Sequence, residues 1–167
     1  AASGGYMMAC VANRIIAAPF AIIGSIGVVA QIPNFNRLLR KNDIDFELVT
    51  AGRYKRTLTM FGENTAEGRA KFQADIDDAH ALFKEFVAQH RPLLDLEAVG
   101  TGEYWFGTRA LDLGLVDQLA TSDAYLIEAA RDRAVYRVRY ARPRSLLDKL
   151  VSPVRSLARE LRQQPTP

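Results

Sequence analysis

The sequence predicts an α/β fold, and three features carry that prediction. Short apolar, β-branched runs alternate with amphipathic stretches along the 167 residues. Glycine and proline punctuate the switches between the two patterns. One long stretch, from about Thr65 to Gln89, repeats its apolar residues at steps of three and four, which a helix aligns on one face. No internal repeat is visible.

Taken in order, Gly5–Ala12 reads as a helix opened by Ser3-Gly4-Gly5, and Arg14–Ala18 as a short β segment closed by Pro19. Ala21–Ala30 holds an apolar run broken by glycines, with the β-rich pattern of a strand. Pro33–Lys41 reads as a helix, with proline near its first turn and basic residues at its end. Asp45–Thr50 alternates enough to be a strand, and Ala51-Gly52 breaks it. In the long helix Phe72, Ile76, Ala79, Phe83 and Phe86/Val87 form the stripe, and Asn64 with Glu67 has the spacing of a capping pair. Further helices are expected at Gly107–Gly114 and Asp123–Arg133, with short strands near Leu115–Val116 and over Ala134–Tyr140. Leucines and valines from Ser145 to Leu161 trace an amphipathic helix interrupted by Pro153, and Gln163–Pro167 is expected to be disordered.

Composition narrows the function classes. The length is that of one domain, and an apolar share of 49% with a charged share of 25% is ordinary for a soluble globular protein. No apolar run reaches the roughly 18–20 residues of a membrane span. No leader is visible, although the start at Ala1 without Met leaves room for a signal or anchor upstream. The single Cys10 excludes an internal disulfide framework and reads as a small packing residue. His80 and His90 lie ten apart on the long helix, too far for a paired metal site, and are expected to face solvent. Neither a metal nor a cofactor is implied. Charge divides the chain: Arg137–Arg162 carries eight Lys and Arg against two acidic residues, while the rest carries fourteen against seventeen. We therefore expect a body over residues 1–140 and a basic amphipathic tail, partly disordered, over 141–167.

The residues able to do chemistry are few. Ser3 stands before two glycines and an expected helix, where a tight turn leaves the Gly4 N–H open to a developing oxyanion and the helix terminus favours negative charge. Alone, the tripeptide is weak evidence and reads first as a helix N-cap after a turn. Neither histidine has the setting of a triad partner. A serine can instead use a neutral lysine, provided burial lowers the lysine from about 10.4 to about 7–8. Before the tail the lysines are Lys41, Lys55, Lys71 and Lys84. Lys71 and Lys84 lie on the long helix and Lys41 ends a polar stretch. Lys55, in Ala51-Gly52-Arg53-Tyr54-Lys55, follows an expected strand on a loop, from which a side chain can reach a cleft. On spacing alone it reads as a surface lysine.

Ala1-Ala2-Ser3-Gly4-Gly5-Tyr6 resembles the nucleophile segment of the signal peptide peptidase A family. Gly24-Ser25-Ile26-Gly27-Val28 is similar to its glycine-serine-isoleucine-glycine strand, and Ala51-Gly52-Arg53-Tyr54-Lys55 to its lysine segment. The spacings agree too, 22 residues from Ser3 to Ser25 and 52 from Ser3 to Lys55. Pro33-Asn34-Phe35-Asn36-Arg37 and Tyr54-Lys55-Arg56-Thr57-Leu58-Thr59 resemble the SohB-like branch in particular. The resemblance runs from Ala1 to about Tyr140, and includes Gly102-Glu103-Tyr104-Trp105 through Asp117, a segment read as structural.

The resemblance implies a ClpP/crotonase-like fold of repeated ββα units, of which this chain is the C-terminal portion. The N-terminal part of the fold is expected to lie outside these residues, with the second oxyanion donor and a membrane anchor, and the segment alone is expected to be inactive or weakly active. It implies a serine endopeptidase in which Ser3 is the nucleophile, Lys55 its base, Ser25 the residue orienting Lys55, and Gly4 one oxyanion-hole donor. Peptide or membrane-protein substrates, a homo-oligomeric ring and a place on the periplasmic side of the bacterial inner membrane follow from the same likeness. Competing readings are a catalytically idle scaffold of a membrane-associated complex, an acyl-CoA enzyme of crotonase type, and a nucleic-acid binder. The last rests on the basic tail alone, where few aromatic residues interleave the charges.

Overall fold

The structure, a computed structural model, describes residues 1–140; the helix expected over 145–161 and the terminus at 163–167 lie outside the described residues. Ala1–Arg131 forms one compact unit and a second begins at Asp132.

Helix α1 spans Gly4–Ala9 and is followed by the strand β1 at Ile16–Ala17 and β2 at Ile22–Gly24. Helix α2 runs over Asn36–Lys41, the long α3 over Ala66–His90 and a single turn, α4, over Leu96–Val99. Then come β3 (Tyr104–Phe106), α5 (Gly107–Asp112), β4 (Gln118–Leu119) and α6 (Ser122–Asp132). Helix and strand are thus mixed along the chain. The strands form two small sheets: β1 pairs parallel with β4, Ile16 opposite Gln118, and β2 pairs antiparallel with β3, Ile23 opposite Trp105. Ala2 adds a parallel bridge to Gly24 on the free edge of β2.

The core lies where these elements meet. Tyr6 and Cys10 of α1, Ile23 and Ile26 around β2, and Phe83 and Val87 of α3 are all buried there. Cys10 is fully buried, as a packing residue should be. Only Phe83 and Val87 of the expected α3 stripe are fully buried, while Phe72, Ile76 and Phe86 are half-buried and Ala79 is exposed.

Several boundaries differ from the sequence expectation, each for a local reason. Helix α2 starts at Asn36 rather than Pro33, because the Asn34 side chain accepts the Asn36 N–H and Phe35 stays outside helical geometry. Thr65, not Asn64, caps α3, its hydroxyl accepting the Gly68 N–H at 3.0 Å. Asn64 instead clasps the backbone of Thr59, accepting its N–H at 2.8 Å and donating to its carbonyl at 3.1 Å. The strand expected near Leu115–Val116 pairs three residues later, at Gln118–Leu119; Leu115 and Val116 are buried on the approach. Neither 45–50 nor 134–140 forms a strand. Among the described residues neither segment has a neighbouring strand to complete its backbone hydrogen bonds, and alternation alone does not supply one.

Candidate active site

Ser3 occupies the apex of a sharp turn between the Ala2 bridge and the start of α1. Its backbone, at φ 54° and ψ −125°, lies where an L-residue is strained and persists only when its surroundings over-determine it. They do so here: its N–H donates to the Gly24 carbonyl at 2.8 Å, and its own carbonyl accepts the N–H groups of Tyr6 and Met7 at 2.9 and 3.0 Å. Ser3 holds the N-cap position, yet its side chain makes no capping hydrogen bond. The plain capping reading of Ser-Gly-Gly therefore fails, and the hydroxyl is left exposed for other work. Beside it the Gly4 N–H has no acceptor among the described residues.

A second serine sits on an adjoining turn. Ser25 follows Gly24, at φ 97°, and itself has φ 52°. Its N–H donates to the Glu103 carbonyl at 2.6 Å, and its carbonyl accepts the Gly27 N–H at 3.0 Å. Pairing of β2 with β3 brings Glu103 there. Ser3, Gly4 and Ser25 together line one open cleft of about 550 Å³, walled on the apolar side by Met7, Val28, Val29 and Phe83.

Lys55 is not in that cleft. It is exposed and lines a separate cavity of about 380 Å³ with Leu48, Val49 and Arg56. Its loop is fastened elsewhere: Arg53 lies 2.7 Å from the Glu67 carboxylate at the start of α3, and the Tyr54 hydroxyl donates to the same carboxylate at 3.2 Å. The structure thus unites three of the four site residues read from the sequence and leaves Lys55 apart.

On α1 the Tyr6 hydroxyl donates to the Leu115 carbonyl at 2.9 Å. Burial pushes that phenol up to about 12, with the nearby Arg91 charge opposing. Arg91 grips both oxygens of Asp117, at 2.8 and 2.9 Å, and Asp117 also accepts the Ile15 N–H at 2.7 Å. The hydrogen bonds from Arg91 hold the Asp117 carboxyl below its usual range against some desolvation. Asp117 is accordingly structural, as its sequence context indicates.

His80 is the residue that sequence reasoning misplaced. Rather than standing free in solvent, it is half-buried on the wall of the open Ser3 cleft, its Nε2 3.1 Å from the Ile26 carbonyl. The signal was present in the register, for His80 falls four residues after Ile76, three before Phe83 and seven before Val87.

The decisive comparison is with protein families: the profile of peptidase family S49 matches residues 1–136. The chain belongs to peptidase family S49. Among curated S49 relatives, "Probable protease SohB" of Haemophilus influenzae is 55% identical over 149 residues, covering 89% of this chain and 42% of its own length. The protein of the same name from Buchnera aphidicola subsp. Schlechtendalia chinensis is 66% identical over 127 residues, 76% of this chain and 42% of its own. The resemblance to the SohB-like branch is therefore borne out. The chain spans less than half the length of these S49 relatives.

Proposed function

We propose that this chain carries the nucleophile of a serine peptidase, with Ser3 as nucleophile and Lys55 as its base. The observation that supports it most is the strained Ser3 turn, which projects an exposed hydroxyl next to a Gly4 N–H that has no acceptor among the described residues. In the reaction, Ser3 Oγ bonds to the carbonyl carbon of a peptide while its proton passes to the neutral Lys55 amine. The oxyanion accepts from the Gly4 N–H. Collapse of the tetrahedral adduct breaks the C–N bond, and Lys55 returns the proton to the leaving amine. Water, deprotonated by Lys55, then bonds to the acyl carbon, the ester bond to Ser3 Oγ breaks, and Lys55 returns the proton to Ser3 Oγ. Ser25 orients the Lys55 amine from the shared cleft wall.

Because Lys55 lies apart from Ser3 within this chain, the dyad requires either movement of the loop around it or a second copy that presents its own Lys55. We take the second route, in keeping with the expected homo-oligomer. The apolar side chains left exposed on the lobe around Lys55, among them Phe46, Leu48, Val49 and Phe61, favour such packing. The same reading takes in a ClpP/crotonase-like stack of ββα units, membrane-derived or signal-peptide-like substrates, and an anchor placing the site on the periplasmic side of the inner membrane. No helix among the described residues is long and apolar enough to cross a membrane.

The test is labelling of the natural protein with a serine-reactive fluorophosphonate, beside Ser3→Ala and Lys55→Ala. Labelling of the wild type that disappears in both variants is the expected result. A correctly folded, assembled wild type that takes no label would replace the peptidase by a catalytically idle scaffold.

A further inference from the structure

We propose that His80 is a positioning residue for the Ser3 reaction, holding the Ser25–Gly27 turn in place through its hydrogen bond to the Ile26 carbonyl. The inference rests on the reading of Ser3 as nucleophile. A carbonyl can only accept, so Nε2 of His80 is the protonated nitrogen at the 3.1 Å contact. The bond crosses from the middle of α3 to the turn that carries Ser25, two elements far apart in the chain. That turn needs an external hold, because Ser25 has φ 52° and lies just beyond the last residue of β2.

Its packing ties are the buried Ile26 side chain and the close approach of Gly27 to Gly102, while its other hydrogen bonds are few. Ser25 N–H reaches Glu103, and Gly27 N–H reaches back to Ser25. One residue upstream, the Gly24 carbonyl accepts the Ser3 N–H. A line of bonded groups therefore runs from His80 through Ile26, Ser25 and Gly24 to the nucleophile. Helix α3 is a rigid base for it: Phe83, the residue one turn on, is buried under the same cleft, and α3 packs against α1 as well. One helix thus supports both turns that bear the serines. His80 touches neither reacting atom, and its effect passes through the turn.

The experiment compares His80→Leu, which keeps an apolar body on the cleft wall but removes the donor, with His80→Gln, whose side-chain amide can still donate. In the natural protein three quantities are read: the rate of fluorophosphonate labelling at Ser3, kcat and KM for a peptide substrate, and hydrogen exchange of the Ser25–Gly27 amides. Expected for His80→Leu are labelling and kcat lowered about 10-fold or more with KM and Tm nearly unchanged, and faster exchange confined to the turn. His80→Gln should restore each to within about threefold of wild type. Unaltered exchange in His80→Leu overturns the tether, whether or not the wild type labels. A change in KM alone overturns it in favour of a substrate contact, and a general fall in Tm in favour of ordinary packing. A wild type that takes no label at Ser3 refutes the peptidase reading instead, and exchange then decides the tether by itself.

Discussion

Gly27 and Gly102 meet backbone to backbone: a Cβ on Gly27 would stand 2.7 Å from the Cα of Gly102. The contact joins the Ser25 turn to the loop that leads into β3, and both glycines line the cleft. It explains why a glycine follows Ser25-Ile26 without invoking an unusual backbone angle at Gly27. The turn can close on its neighbour only where no side chain intervenes.

Gly27→Ala is therefore expected to push the two loops apart, at a cost of about 1–3 kcal/mol. Urea unfolding of the variant measures the loss. The same shift should misplace Ser25, so labelling of Ser3 should slow as stability falls. A variant as stable and as reactive as wild type would show that the loops yield freely.

Tyr6→Phe should leave the Leu115 carbonyl without its donor and cost about 1–3 kcal/mol at neutral pH. The alkaline behaviour gives a sharper test. Burial raises the folded phenol to about 12, above its value of about 10 in the unfolded chain. The unfolded chain loses its proton first, so the stabilisation is complete below about pH 10 and declines between about 10 and 12. Wild-type stability should fall through that window by an amount that Tyr6→Phe does not share. Parallel curves for the two proteins would deny the buried phenol this role.

Asp117→Asn should weaken the tie among Ile15, Arg91 and β4 by about 1–3 kcal/mol, since hydrogen bonds to a charged group are lost. The Asp117 pKa is depressed in the fold. Its contribution is thus present above the unfolded value of about 3.9 and is lost as pH falls through the lower, folded value. Acid unfolding should show a wild-type step in that range that the Asn variant lacks. Both proteins are otherwise expected to keep the Ser3 turn, because Asp117 lies outside the cleft.

What the sequence made legible follows from the range of each signal. Helix α3 was read nearly to the residue, because a run of amphipathic turns announces itself locally. Ser3 and Gly4 stand out through the glycines that follow the serine, Ser25 is legible by family likeness alone, and the structure gathers all three at one cleft. Lys55 was read by likeness, and its distance from Ser3 was not legible, since nothing within 42–65 records which surface that loop rests on. The strand at 45–50 failed for a related reason: pairing depends on a neighbour, and alternation is silent about neighbours. The strand β3 went unassigned because Tyr104–Phe106 is only three residues long. His80 was misread by treating a polar residue as solvent-facing, although its register placed it with the buried side of α3.

The way Ser3 is seated also orders events during synthesis. Its N–H is held by Gly24, the strand of Gly24 is held by β3, and the Ser25 N–H is held by Glu103. Ser3 is encoded far upstream of the residues that complete its seat. A nascent chain whose later segment has not left the ribosome lacks Glu103 and β3, and closing so long a loop must precede the strained geometry at Ser3. The strained turn therefore arrives late, and an unfinished chain carries the serine without its final backbone geometry.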